Sequence, residues 1–388
     1  MKRFFSYILA FISLGGYAQT IKPEEVPSLI ERQESVTWYN QQAEAWEKVV
    51  AQEPHNENAW YNLNKAIRYA NFNHPEGYEK LQALYERMAQ AIPHTYTYHF
   101  CAANNQNDSI AQLHMEQAYK LMPKDRKLGE EYGFFLAYFW KTNRQKELQD
   151  IAKRYYQEQS VPSNLLRYNY NELQCLPPKA VYIGNGDILL LPKMALLYGL
   201  GVHQDKVVIC ASFLWIPDYY IQVCKQLGIQ PKQFNTDEYS TTDNWTERIN
   251  YIIHACGRPC YFSPSSLSDG SGLEYFKENL YNEGLVLRYS EKPYDNYARV
   301  RTNIEQNIHL DYLVEPDFII EPEWQSANNL VFNYYILLSP LIEKYKEWGN
   351  LDRSLWLQNL LNKGLEKSKM DQKLKKTCRE YMKQFIAQ

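Results

Sequence analysis

The hydrophobic pattern of the chain is helical over residues 36–156. Apolar residues recur there at three- and four-residue spacing, as in Trp60, Leu63 and Ile67. Prolines interrupt the pattern at Pro54, Pro93 and Pro123, at intervals of 39 and 30 residues. Proline lacks a backbone N–H and clashes with the preceding turn, so each is predicted to end a helix. The intervals are near the period of helical-hairpin repeats.

The local sequence around these prolines resembles tetratricopeptide repeats. Trp60 and Leu63 follow Pro54 at the spacing of that repeat's first-helix Trp and Leu. Ala118 precedes Pro123 roughly as the second-helix alanine precedes the closing proline, whereas Asn64 stands where a small glycine is expected. The resemblance implies stacked helical hairpins, which bury apolar faces against their neighbours. A generic helical bundle is the alternative.

Short apolar runs alternate with helical patterns after Pro177 and Pro178. Such alternation predicts a small α/β domain with a mostly parallel sheet. The predicted strands are 180–183, 206–212, 259–263 and 284–289, and the predicted helices are 188–198, 217–227, 245–256 and 273–282.

The pattern returns to helices near the C-terminus. Residues 329–348 and 351–365 predict a helical hairpin, and residues 370–385 predict a capping helix. We therefore expect a mostly α, α+β chain in which tetratricopeptide-like hairpins flank the α/β domain. The predicted divisions are 1–18 (signal peptide), 19–176 (helical repeats), 177–325 (α/β domain) and 326–388 (C-terminal helices).

The first 18 residues have the pattern of a secretory signal peptide. Lys2 and Arg3 precede an apolar run over residues 4–14, and small residues end at Ala18. Cleavage after Ala18 predicts export, and a periplasmic location in a Gram-negative cell. No later stretch is long and apolar enough to suggest a membrane span in the mature chain.

Composition narrows the classes of partner. Loss of Lys2 and Arg3 would change the formal charge from −3 to −5, which does not favour nucleic acid. Tyrosine is abundant, with 33 residues, and is a residue type that interaction surfaces favour. The repeat-like helices and the lack of a catalytic constellation make a protein or cell-envelope component the predicted partner, and a glycan is a further candidate.

The predicted α/β domain holds the candidate ligand-binding residues. Right-handed crossovers place the loops that follow parallel strands at one edge of the sheet, where ligands bind in open α/β folds. Asn185, Asp187, Trp215 and Ser265 lie in these loops. The alternative is a tight turn in which Asp187 caps the next helix.

The sequence gives little support for a nucleotide, cofactor, metal or catalytic site. A dinucleotide site is disfavoured because the third glycine of its motif and an acidic residue after the second strand are both missing. We predict no cofactor, metal or catalytic residue, and we favour a non-enzymatic protein.

Two further features concern modification. Cys256 and Cys260 are the close pair among seven cysteines, and either a local disulfide or two buried thiols fit their context. Asp108-Ser109-Ile110 resembles an O-glycosylation sequon that some Gram-negative bacteria use on exported proteins, which makes Ser109 a candidate acceptor.

Residues 178–365 resemble the soluble C-terminal region of a bacterial family of multi-spanning membrane proteins similar to protein O-mannosyltransferases. Gly186-Asp187, Tyr220-Ile221 and the segment Arg258-Pro259-Cys260-Tyr261-Phe262 carry the resemblance. A second family aspartate is missing after Asp187, and Tyr219 stands where tryptophan is expected. The family's membrane half is absent, so no transferase activity is implied.

Two hypotheses follow from the sequence. The first is an exported, non-enzymatic helical-repeat adaptor for a protein or envelope component. The second is a carbohydrate-binding or carbohydrate-processing protein that uses the carboxyl edge of the α/β domain, with Asp187 as its central residue.

Overall fold

A computed structural model of the chain describes residues 21–72, 74–104, 107–234, 241–267, 272–314 and 324–386. The predicted signal peptide, residues 1–18, lies outside these ranges. The chain forms two compact units, of which the first extends to Val26 and resumes over Glu34–Met122, and the second comprises Pro27–Gln33 and Pro123 onward. No helix within the described ranges combines the length and apolar character needed to cross a bilayer.

The first unit is built from helices. They are α1 (Val36–Gln52), α2 (Glu57–Ala70), α3 (Pro75–Ala91), α4 (Tyr96–Ala102) and α5 (Asp108–Lys120). The prolines end helices as predicted, since α1, α3 and α5 end two or three residues before Pro54, Pro93 and Pro123. Polar N-caps begin several of the helices, and Asn56, for instance, accepts the N–H of Ala59.

The second unit begins with α6 (Glu131–Lys141), α7 (Gln145–Gln157) and α8 (Ser163–Cys175). Its α/β part contains β1 (Val181–Gly184), α9 (Asp187–Met194), a π-helix (Ala195–Leu200), β2 (Val207–Cys210), α10 (Pro217–Leu227), α11 (Thr241–Ala255), β3 (Cys260–Phe262), β4 (Leu280–Asn282) and β5 (Leu287–Tyr289). Short 3₁₀ helices lie at Ala211–Phe213, Pro264–Ser266 and Leu273–Asn279.

The remaining elements of this unit are again helical. They are α12 (Tyr297–Thr302), a second π-helix (Asn303–Asn307), α13 (Asp311–Val314), α14 (Gln325–Leu330), α15 (Phe332–Leu338), α16 (Pro340–Glu347), α17 (Leu351–Lys367) and α18 (Gln372–Ile386). The helix predicted over 329–348 is divided, and α16 begins at Pro340, a residue that fits the first turn of a helix.

The sheet is mixed rather than mostly parallel. Its strand order is β2-β1-β3-β5-β4, in which β1 pairs in parallel with both β2 and β3. The β5 strand runs antiparallel to β3 and to β4. Residues 280–282, predicted to be helical, form β4, because a tight turn at Gly284 (φ 108°) returns the chain as a hairpin.

The helices α6, α7 and α8 belong to the same compact unit as the sheet. The sequence placed a division at residue 176, before Pro177 and Pro178, whereas the compact units divide after Met122. Buried side chains explain the difference, since α8 contributes Tyr168, Glu172 and Leu173 to the interior of this unit. The described helices and mixed sheet form a mostly α, α+β fold.

Candidate functional site

Hydrogen bonds join residues at the carboxyl ends of the parallel strands to one another. The N–H of Asn185, after β1, donates to Ser266 Oγ at 2.8 Å, after β3. Asn185 Oδ1 lies 3.7 Å from the Cys210 Sγ at the end of β2. Three neighbouring strand ends are therefore linked through one asparagine.

Asp187 lies at this edge as the first residue of α9. The N-cap is Gly186, with φ 95° and ψ 146°, so Asp187 is inside the helix rather than its cap. Its exposed carboxylate lies in the first turn, where the helix dipole favours a negative charge. Burial raises the pKa of Cys210 to about 11, and the nearby Asp187 carboxylate adds to this shift.

The other two predicted residues are also exposed. The Trp215 side chain, in the loop after β2, is 51% exposed. Ser265 Oγ accepts a hydrogen bond from Asn333 Nδ2 of α15 at 2.6 Å, while the neighbouring Ser266 joins Asn185. The sequence did not single out Ser266, which is the serine that contacts Asn185.

A fully buried lysine–glutamate pair connects α8, α9 and the sheet. Lys193 Nζ of α9 donates to Glu172 Oε2 of α8 at 2.5 Å and to Asn169 Oδ1 at 2.6 Å. Tyr182 of β1 and Ser263 after β3 donate their hydroxyls to the same carboxylate, at 3.0 and 3.3 Å.

Burial shifts the pKa values of this pair in opposite directions. It raises the pKa of Glu172 and lowers that of Lys193, because a charged form of either group is poorly solvated there. Both side chains have no exposed surface. The hydrogen bonds around them satisfy both groups, so the pair fixes the inner face of α8 against the sheet.

The outer face of α8 lines a cavity of about 420 Å³. Side chains one helical turn apart, at Ser163, Leu166, Arg167 and Tyr170, contribute to it. The complete lining is Tyr156, Ser163, Leu166, Arg167, Tyr170, Asn171, Leu196, Leu200 and His309. We call this cavity the α8 groove.

A glycine allows the wall of the α8 groove to form. In the π-helix, a Cβ on Gly199 would lie 2.5 Å from the carbonyl oxygen of Ala152 in α7 and 3.0 Å from Tyr156 Cβ. Only glycine therefore permits this close approach. It places Leu196 and Leu200 of the π-helix in the same cavity lining as Tyr156.

Two histidine rings lie beside Tyr170, and one of them, His309, lines the α8 groove. The centroid of the His203 ring is 5.2 Å from that of Tyr170, and the centroid of His309 is 6.0 Å away. Asn171 holds the backbone of His309 from both sides, donating to its carbonyl at 2.7 Å and accepting its N–H at 2.9 Å. Burial lowers the pKa of His203.

Arg167 is the cation in the lining of the α8 groove. Its side chain is exposed, and within the described ranges it makes no hydrogen bond or ion pair. A guanidinium with open donors can bind a carboxylate through two parallel hydrogen bonds. Together with the leucine and tyrosine side chains, it forms a surface for a ligand that is apolar and carries an anionic group.

Sequence reasoning missed the α8 groove because its lining comes from separate segments. Tyr156, Tyr170, Leu196 and His309 are brought together only by the fold. One signal for the buried pair was present, since Lys193 interrupts the apolar run from Leu189 to Leu197. A lysine inside a buried run requires a partner, which a sequence alone does not name.

The structure places the modification candidates as follows. Ser109 is exposed in the first turn of α5. Cys256 and Cys260 are free thiols with their sulfur atoms 3.7 Å apart. Within the described ranges, no three His, Cys, Asp or Glu side chains are grouped so as to hold a metal ion.

Comparison with known proteins gives no relative from which a function can be transferred. No family model, curated protein or solved structure matches the chain. Functional inference therefore rests on the geometry of the chain itself.

Proposed function

We propose that this chain is an exported, non-enzymatic helical-repeat adaptor that holds a segment of a partner protein in the α8 groove. Export rests on the signal-peptide pattern of residues 1–18, and the repeat class rests on the proline-punctuated helices of the first unit. A periplasmic partner or envelope component follows from this location. The α8 groove carries the proposal because it combines a ligand-sized cavity with Arg167, a cation that forms no ion pair within the part of the chain that the structure describes.

The ligand that fits best is an extended peptide with a bulky apolar side chain next to a carboxylate. A cavity of about 420 Å³ accommodates a few side chains. Leu166, Leu196 and Leu200 offer apolar contact, and Arg167 offers the charge. A sugar would bury hydroxyl groups against these leucines without hydrogen-bond partners, which is costly.

Peptide selection followed by binding measurements tests this proposal. Random peptides displayed on phage are selected against the full chain, and the dissociation constant of an enriched peptide is measured by fluorescence anisotropy. Arg167→Gln should weaken binding by about tenfold to a hundredfold, since a hydrogen bond to a charged group contributes about 1.5–3 kcal/mol. Leu200→Asp should also weaken it, because Leu200 is 44% exposed and its substitution alters the lining without opening the core.

Matched variants distinguish the loss of the Arg167 contact from a general loss of positive charge. Lys225→Gln removes one positive charge from an exposed position on α10 and should leave binding unchanged. Arg167→Lys should restore part of the affinity, because it keeps the charge but loses the paired geometry. Failure to enrich any peptide, or equal affinity for wild type, Arg167→Gln and Leu200→Asp, would rule out the α8 groove as the peptide site.

Carbohydrate binding at the carboxyl edge is the second candidate. The observation that favours it is an exposed indole ring at Trp215 on the edge that also bears the exposed carboxylate of Asp187. Aromatic faces and carboxylates are the groups that sugars contact. An array of bacterial envelope oligosaccharides tests it, and binding that is lost in Trp215→Ala but kept in Leu200→Asp would favour this site over the α8 groove.

A further inference from the structure

Two thiols face each other across the turn between α11 and β3. Cys256 directly follows the last residue of α11, and Cys260 is the first residue of β3. Gly257, with φ 61°, reverses the chain between them. The Sγ atoms are 3.7 Å apart, and both approach the carbonyl oxygen of Arg258, at 3.7 and 3.5 Å.

This separation is close to what a disulfide requires. A sulfur–sulfur bond is about 2 Å long, so the two atoms would have to approach by less than about 2 Å. The side-chain rotation of Cys256, which is only half-buried, can supply part of that movement. The turn therefore already holds the two sulfur atoms near bonding position.

The two thiols differ in accessibility. Cys256 is half-buried, whereas Cys260 is 3% exposed. An external reagent therefore reaches Cys256 first. The hydrogen bond from the Cys260 thiol lowers the pKa of Cys256, while the same hydrogen bond, together with burial, raises the pKa of Cys260.

The other cysteines are less suited to exchange. Cys101, Cys175, Cys210, Cys224 and Cys378 are all buried free thiols. Burial raises the pKa of Cys175 to about 12 and that of Cys210 to about 11, which leaves little thiolate near neutral pH. Reactivity is thus concentrated at the α11–β3 turn.

We propose that Cys256 and Cys260 form a redox-active pair, in which Cys256 attacks an external disulfide and Cys260 resolves the product. The Cys256 thiolate attacks one sulfur of a disulfide RSSR, forming a mixed disulfide and releasing RS⁻. The Cys260 thiol loses its proton and attacks the Cys256 sulfur, releasing the second RS⁻. Both RS⁻ groups take up a proton, so the protein dithiol is oxidised and RSSR is reduced to two RSH.

The short loop between the two cysteines indicates that a disulfide here would serve thiol–disulfide exchange more than stabilisation of the fold. The disulfide would close only the five residues from Cys256 to Cys260, and short loops restrict an unfolded chain least. It would tie the end of α11 to β3, in the middle of the sheet. A disulfide of this kind can be formed and reduced without rebuilding the fold.

Incubation of the full chain with oxidised glutathione, followed by intact-mass spectrometry, tests the order of attack. Wild type should lose two hydrogen atoms, and peptide mapping should place the bond between Cys256 and Cys260. Cys260→Ala should accumulate one glutathione adduct on Cys256, because its resolving thiol is missing. Cys256→Ser should remain unmodified, because the exposed attacking thiol is missing.

Circular dichroism checks that each variant is folded. If Cys260→Ala fails to fold, the peptide map of oxidised wild type and the behaviour of Cys256→Ser decide the question. A wild-type chain that keeps seven free thiols would overturn the proposal. Equal glutathione uptake by Cys256→Ser and Cys260→Ala would also overturn it.

Discussion

The pair of Lys193 and Glu172 shows how single residues hold the inner face of α8. Both side chains are fully buried, and each depends on the other as well as on neutral partners. Removal of one leaves the other without its counter-charge in a poorly solvating interior. We expect Glu172→Gln and Lys193→Met each to lower the free energy of unfolding by about 3–5 kcal/mol, measured by urea denaturation.

The double variant separates the pair interaction from the loss of packing. Glu172→Gln combined with Lys193→Met should cost less than the sum of the two single changes, because no unpaired charge remains. Lys344→Met removes an exposed pair with Glu347 and should leave the urea midpoint nearly unchanged. Additive losses in the double variant would show that the two side chains do not act together.

A histidine pair should make the first unit sensitive to acid. His99 Nδ1 of α4 and His114 Nδ1 of α5 are 2.8 Å apart, so one ring donates a hydrogen bond to the other. Burial lowers the pKa of both below the ordinary value of 6.5, and for His99 the charges of His114 and His94 add to the shift.

The sign of the pH effect follows from these shifts. As pH falls through about 6.5, the unfolded chain takes up protons before the folded one, so stability is lost. Hydrogen exchange of α4 and α5 should therefore be faster at about pH 5.5 than at about pH 7.5, after correction for intrinsic rates. His114→Gln should reduce this acid effect, and an unchanged effect would contradict the assignment to the pair.

Sequence patterns located some individual residues well and others poorly. Asn185 and Asp187 were placed at the carboxyl edge because a glycine-rich turn follows an apolar strand. Burial of Trp60 and Leu63 followed from helical periodicity. The hydrogen bond between Asn185 and Ser266 was not predicted, because it depends on side-chain direction in a short 3₁₀ helix, which periodicity does not encode.

The first π-helix is the element on which the shape of the α8 groove depends. Gly199 packs against α7 so closely that a methyl group would overlap the Ala152 backbone. Gly199→Ala should therefore push the two elements apart and destabilise the chain by about 1–3 kcal/mol. It should also weaken peptide binding, because Tyr156 is part of both the contact and the lining.

A second glycine provides the control for this change. A Cβ on Gly129 would meet only Glu131 Oε2, at 3.6 Å, which is an ordinary contact. Gly129→Ala should leave both the urea midpoint and the peptide affinity nearly unchanged. Equal effects of the two substitutions would show that Gly199 has no special packing role.

Element prediction succeeded where local signals were strong. The helix expected over 217–227 is present with those bounds, because Pro217 starts it and Gly228, with φ 73°, ends it. The strand β4 was missed because residues 273–282 have helical spacing, and its pairing with β5 depends on distant backbone. Because β4 was missed, the sequence predicted a mostly parallel sheet, whereas the observed sheet is mixed.

The division of the chain into two compact units follows burial rather than composition. Pro177 and Pro178 end α8, but the apolar and charged side chains of that helix face the sheet that follows. A proline pair is a local signal, whereas a compact unit is defined by long-range packing. The α8 groove therefore crosses the division that the sequence drew at residue 176, since Leu196, Leu200 and His309 fall in the predicted α/β domain and the rest of the lining in the predicted repeats.

The most direct test of our account is hydrogen exchange of the full chain with and without a selected peptide. We predict slower exchange in α8 and in the π-helix Ala195–Leu200, with no change in the loop around Trp215. Protection confined to the carboxyl edge, or its absence from both α8 and the π-helix, would contradict the assignment of the α8 groove as the binding site.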